Sequence, residues 1–208
     1  MRLFDVSGCR CAVVRPGMNL TAYAARKKPF ALCNASLYDM RSRVPVGTII
    51  ESGKLVHDDG NGYGFGVCDG MPDFGRPWDK AWTDYLTGYN APVQHGVYIA
   101  PAFADPYVFA CRLARLGVGR TREGKTVLVT EDFVTLEGFA RAAIAAGVET
   151  LVNLDGGGSR HLWYDGKAVY ASPRVPYNAI AFYRDGAPET PAPCADCTGD
   201  GRCGRWRG

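Results

Sequence analysis

The run Leu151-Val-Asn-Leu-Asp-Gly-Gly-Gly-Ser159 constrains this chain more than any other segment. A short apolar strand delivers one carboxylate, Asp155, to its mouth, and three glycines and a hydroxyl follow. Glycine lacks a Cβ, so a ligand can approach such a backbone closely. Successive unscreened N–H groups there make a nest for anionic oxygens. A carboxylate beside that cradle points to chemistry on a phosphorylated or otherwise anionic substrate. The competing reading is a flexible turn, because glycine clusters punctuate chains of every kind.

Length and composition set the frame. At 208 residues, 47% hydrophobic and 22% charged, the chain can bury a core as one domain. A net charge of +3 does not argue for nucleic acid. The N-terminus lacks the apolar stretch of a signal peptide, and no run is long enough for a membrane helix. The expectation is a soluble, cytoplasmic or virion-associated protein without membrane partners. Eight cysteines are unusual in that setting. Cys33, Cys68 and Cys111 sit in apolar surroundings and read as buried thiols.

Along the chain, 3–15 reads as one or two strands and 18–28 as a helix stopped by Pro29. A buried strand follows at 30–34, and a hairpin spans 46–57 around Glu51-Ser-Gly53. Residues 58–92 read as irregular apart from a strand at 63–68, and such a segment often forms a site. Within it Trp78, Trp82, Tyr85 and Tyr89 recur at helical spacing, which suggests a buried helix face or a sugar-stacking platform. Residues 93–100, 107–118 and 126–130 read as strands. Thr135 caps the clearest helix, which ends before Gly147. A strand at 149–154, a hairpin around Asp165-Gly166 and a last strand at 178–183 complete the domain, taken as 1–185. The expected class is α+β, a mixed β-sheet core of about ten short strands with two or three helices.

Several ordered motifs are similar to those of the phosphodiester glycosidase family. Asn153-Leu-Asp-Gly-Gly-Gly-Ser159 resembles its NLDGGGS run. Arg174-Val-Pro-Tyr-Asn-Ala-Ile-Ala181 resembles its R-x-V-x-N-A-I segment, and Gln94-His-Gly96 its Q-x-G element. An R-T-A-x-G element is matched loosely by Arg112-Leu-Ala-Arg-Leu-Gly117, where either Arg112 or Arg115 could hold the role. The family's N-G-G-F-F becomes Asn34-Ala-Ser-Leu-Tyr38, so Ala35 and Ser36 would narrow a wall that glycine leaves open. The resemblance implies a hydrolase that cleaves the glycosidic bond of a sugar 1-phosphodiester, releasing sugar and a phosphate monoester. Alternatives are a non-catalytic module that binds a phosphorylated glycan or nucleotide-like ligand, and a phage or surface-assembly part.

On this reading Asp155 is nucleophile, general base or stabiliser of an oxocarbenium-like state. Its other reading is a cap for the glycine loop. Asp39 is the expected second carboxylate, ahead of Glu51, Asp58 and Asp59 in hairpin or loop contexts. His95 is the expected proton carrier, with His161 behind it. Gln94, Arg112, Gly156, Gly157, Gly158, Ser159 and Arg174 are expected sugar and phosphate contacts; Asn34 and Asn178 join them by fixing sugar hydroxyls or the Asp155 loop, or else satisfy backbone groups at a turn or strand end. No cofactor is expected for catalysis. The segment 186–208 reads as a tail in which Cys194, Cys197 and Cys203 supply three ligands of a structural zinc or an assembly contact; a flexible tail with free thiols is the other reading.

Overall fold

The computed structural model describes residues 1–39, 41–42, 44–58, 62–101 and 106–184. Within them the fold is mostly β, with three sheets and three α-helices. In chain order the elements are β1 (Arg2–Asp5), β2 (Arg10–Val14), α1 (Leu20–Lys27), β3 (Ala31–Asn34), β4 (Ile49–Glu51), β5 (Lys54–His57), β6 (Gly64–Cys68), β7 (Met71–Gly75), β8 (Asp84–Leu86) and β9 (Asn90–Gln94). There follow β10 (Val97–Tyr98), α2 (Pro106–Ala110), β11 (Leu113–Thr121), β12 (Thr126–Val134), α3 (Leu136–Ala145), β13 (Val148–Asn153), β14 (Leu162–Tyr164), β15 (Lys167–Tyr170) and β16 (Ala179–Tyr183).

The first sheet runs β1-β12-β11-β13-β9-β10, the second β15-β14-β3-β16-β2 and the third β5-β4-β8-β6-β7. All three contribute to one central core: Val118, Leu128 and Val152 from the first, Cys33, Ile180 and Phe182 from the second, Ile49, Phe65 and Leu86 from the third. The first two sheets are buried on their outer faces too. Strand β16 sends Ile180 and Phe182 into the central core and Ala179, Ala181 and Tyr183 against α1. Strand β13 likewise places Val152 centrally and Leu151 beneath α3. Alternate side chains of a strand point to opposite faces, so burial of both makes its sequence continuously apolar.

Local signals set the helices. The Asn19 side chain accepts from the Ala22 N–H at the start of α1, and Thr135 accepts from the Gly138 N–H at the start of α3. Lys28 closes α1 in a left-handed conformation before Pro29, which cannot continue the ladder.

Several expectations need correction. The described residues hold sixteen strands rather than about ten, and every ladder is antiparallel rather than mixed. Residues 107–118 divide into the end of α2 and the start of β11. The segment 58–92 contains β6, β7, β8 and the start of β9, so its aromatics do not share a helix face. Trp82 and Tyr85 are buried with ring centroids 5.3 Å apart, whereas Trp78 is exposed. Tertiary burial overrode the spacing. Cys33 is buried as expected, but Cys68 and Cys111 are half-buried.

Candidate active site

Strand ends from two sheets meet at Asp155. The N–H of Leu154 donates to Leu116 O on β11 at 2.9 Å, and that of Asp155 donates to Ala35 O just beyond β3 at 2.9 Å. Asn34 lies one residue upstream, fully buried. Its Nδ2 donates to Asp155 O at 2.7 Å, and its Oδ1 accepts from the His161 N–H at 2.7 Å. One amide thus holds the chain on both sides of the glycine run. Asn178 acts similarly on the next strand, accepting from the Ser36 N–H at Oδ1 (2.8 Å) and from the Ala35 N–H at its carbonyl (3.2 Å).

After Asp155 the chain makes one 3-10 turn over Gly157–Ser159. Ser159 N–H closes on Gly156 O and Arg160 N–H on Gly157 O. No hydrogen bond among the described residues engages the N–H of Gly157 or Gly158. Two glycines are required for different reasons. Gly157 has φ +55, which strains other residues. A Cβ on Gly156 would lie 2.4 Å from Ala114 O on β11. Gly156→Ala is therefore expected to lift the turn off the sheet, costing about 1–3 kcal/mol; thermal melting and phosphate titration of the variant check this.

Burial pushes the Asp155 carboxyl up to about 6, against the opposing pull of the Ser159 hydroxyl, the Arg174 charge and the Gly156 N–H. Arg174 is tied into the same group, its Nη1 donating to Ser159 Oγ at 2.8 Å. Ser172 supports both ends, donating from Oγ to Gly158 O (2.9 Å) and accepting there from the Arg174 N–H (3.3 Å). The Ser172 N–H donates to His161 Nδ1 at 3.1 Å, so that ring carries its proton on Nε2. Burial holds the His161 pKa down, which keeps it neutral.

The arrangement brings together Asp155, Gly156, Gly157, Gly158, Ser159 and Arg174, with Asn34 and Asn178 as scaffolding. The polar groups of Asn34 are committed to the backbone on both sides of the turn, which is the loop-fixing one of its two expected roles. Arg112 is exposed just outside β11, at the end where Ala114 meets Gly156.

Other expected residues lie elsewhere. Gln94 and His95 sit at the far end of β9: Asn90 is the residue opposite Asn153, while Gly96 N–H reaches Glu149 O at the start of β13. A strand advances about 3.3 Å per residue, so this separates them from the Asp155 end by roughly 13 Å. His95 is exposed in a turn with φ +51, and Gln94 Nε2 donates to Ala91 O. Asp39 is exposed, and its Oδ1 accepts from the Arg41 N–H, the Ser42 N–H and Ser42 Oγ. Those bonds hold its carboxyl below the usual range, as in a local turn. Arg115, the alternative to Arg112, is buried and donates to the carbonyls of Val134, Val108 and Cys111. Glu51 pairs with Arg15, and Asp58 accepts from Thr48. Asp59, Cys194, Cys197 and Cys203 fall outside the described residues. Ala35 and Ser36 are buried, so their side chains do not narrow an open wall.

Sequence reasoning missed the supports of the Arg174 loop. Tyr38 donates to Val175 O at 3.4 Å. Arg15 Nη2 donates to Tyr177 Oη at 2.5 Å, and its Nε donates to Glu51 at 2.8 Å. Sequence distances of 137 and 162 residues left no local signal for these contacts. Among the described residues, no three His, Cys, Asp or Glu side chains group so as to hold a metal.

The phosphodiester glycosidase family model matches residues 29–183, a span that contains Asp155, its glycine turn, Asn34, Arg174 and Asn178. The chain belongs to the phosphodiester glycosidase family. Similar solved structures agree on the fold. The catalytic domain of zebrafish N-acetylglucosamine-1-phosphodiester α-N-acetylglucosaminidase, described as auto-inhibited by its pro-peptide, superposes with TM-score 0.68 at 20% identity, covering 84% of this chain and 73% of that one. A Synechocystis protein matches with TM-score 0.69 at 14% identity, covering 85% and 56% of the two chains. A Burkholderia pseudomallei protein matches with TM-score 0.57 at 13% identity, covering 87% and 72%. No curated protein matches the chain in sequence. The fold is thus shared with solved structures at 13–20% sequence identity.

Proposed function

We propose that this phosphodiester glycosidase hydrolyses the glycosidic bond of a sugar 1-phosphodiester at Asp155. The observation that carries the reading is the half-buried Asp155 carboxylate, with a pKa raised to about 6, beside Arg174 and the open glycine turn. A carboxylate desolvated next to a cation and unoccupied N–H groups suits a substrate with an electrophilic carbon next to an anion.

The chemistry needs few groups. The bond between the anomeric carbon and the phosphate oxygen breaks, and its electron pair leaves with the phosphate. Such a leaving group is a weak base, so stabilising its charge matters more than protonating it. Arg174 and the N–H groups of Gly157 and Gly158 supply that stabilisation. Asp155 either attacks the anomeric carbon, forming a glycosyl ester that water then cleaves to free the sugar and the carboxylate, or takes the proton of an attacking water. Both routes use the ionised form, and neither requires Asp39. The reading needs no cofactor at this site.

Hydrolysis of a panel of sugar 1-phosphodiesters, with released sugar and phosphate monoester both quantified, tests the proposal. Equal release of both products supports it. Failure on every substrate, with phosphate compounds still binding, would leave a binding module.

The pH profile adds a second check. The folded carboxyl has the raised pKa, so between the ordinary aspartate value of 3.8 and about 6 the folded protein holds a proton that the unfolded chain has lost. Ionising Asp155 therefore removes stability as pH rises through that window. Activity has the opposite slope: kcat/KM is expected to rise with pH through about 6. A rate that falls through the same range would mean that the protonated acid is the working form.

A further inference from the structure

Phe133 is out of place for its residue type. It lies near the end of β12 with φ +52, a left-handed conformation that is a genuine outlier for a bulky side chain. Its side chain is not rescued by burial, since the residue is 71% exposed. The cause is a bulge. Leu113 pairs with Val134 and Arg115 with Glu131, so Ala114 alone faces both Asp132 and Phe133. Bulges re-aim side chains and recur beside active sites.

This bulge carries the glycine turn. At one end of the turn, Gly156 rests on Ala114 O so closely that a Cβ would sit 2.4 Å away. At the other, Arg160 Nη1 pairs with Asp132 Oδ1 at 2.6 Å and donates to Glu131 O at 3.4 Å. The Arg160 guanidinium also lies 3.6 Å from the centroid of the Tyr170 ring. Arg160 is thus committed to holding the turn, and Phe133 is the exposed aromatic of the same bulge, one residue beyond Asp132.

We propose that Phe133 is the stacking platform for the ring-bearing group esterified on the far side of the substrate phosphate, and so selects the leaving group. The proposal rests on the phosphate-binding half of the reading above. Asp155 precedes the turn and takes the sugar being cleaved, whereas the bulge lies under the turn that holds the phosphate. A flat apolar face there suits a pyranose or a nucleobase, both of which stack on aromatic rings.

The test uses binding, so it does not depend on turnover. Phenyl phosphate, methyl phosphate and inorganic phosphate are titrated calorimetrically into wild type, Phe133→Ala and Phe133→Trp. Wild type is expected to bind phenyl phosphate about five- to ten-fold more tightly than methyl phosphate. Phe133→Ala should lose this contrast with methyl phosphate unchanged, and Phe133→Trp should restore it. A hexopyranose phosphate and a nucleoside 5′-monophosphate then distinguish the two kinds of ring. Equal binding of phenyl and methyl phosphate by wild type, a contrast that survives in Phe133→Ala, or no binding of any phosphate overturns the platform. The hydrolysis panel is read separately: turnover without the contrast overturns the platform alone. Phe133→Gly provides a structural control. It is expected to melt at or above the wild-type temperature, because the left-handed backbone strains phenylalanine and not glycine. A clear drop in Tm would mean that Phe133 serves the fold, which also overturns the proposal.

Discussion

Asp155→Asn is expected to lower kcat about 1,000-fold or more while leaving the protein at least as stable as wild type. The amide has nearly the shape of the carboxylate and can still meet Ser159 and Arg174, so the turn should persist. It can neither attack the anomeric carbon nor accept a proton, and loss of one such group typically removes two to four orders of magnitude. Stability moves the other way because burial disfavours the Asp155 charge, as its raised pKa records. A neutral residue at that position escapes this cost. Single-turnover kinetics beside thermal melting would read both effects. A variant that keeps its rate would place the chemistry elsewhere, and one that loses rate and stability together would make Asp155 a structural cap of the glycine loop.

Asn34→Ala is expected to be the most destabilising single change near the site. It leaves Asp155 O and the His161 N–H without their partners, both set at 2.7 Å in the wild type. An orphaned buried polar group costs about 1–3 kcal/mol. The two together should lower Tm by roughly 10 °C in a chain of this size. Activity should fall with it, because Asp155 is positioned from both sides through this amide. Asn34→Asp separates the two effects. It retains an acceptor for His161 but sets a second negative charge beside Asp155, so the rising limb of the pH–rate profile should move to higher pH. An unmoved limb in an active Asn34→Asp enzyme would mean that Asn34 supports the fold without tuning the carboxylate.

These residues also show what could be read along the chain. The glycine turn was legible because its physics is local: an apolar strand, a carboxylate and three glycines in succession leave little choice of conformation. The cap at Thr135 was legible for the same reason. Asp39 was misread although its signal was local too, since an Asp followed by Ser three residues later often folds back on its own backbone. The aromatics at 78, 82, 85 and 89 misled through periodicity alone, and the surrounding glycines and prolines were the better guide. His95 misled differently. It follows a strand that does pair with the Asp155 strand, but in the antiparallel pairing the turn after that strand lies at the end away from Asp155.

The sequence by itself determined the family, the Thr135 helix cap and the identity of the turn that carries Asp155, because each depends on motifs of residues a few positions apart. Only the tertiary structure decided how distant groups serve that turn. Asn34 and Arg174 come from distant segments, and Phe133 gains its setting from a register shift between β11 and β12. Burial raises the Asp155 pKa only once three sheets close around a common core, since desolvation belongs to the assembled fold and to no segment of the chain.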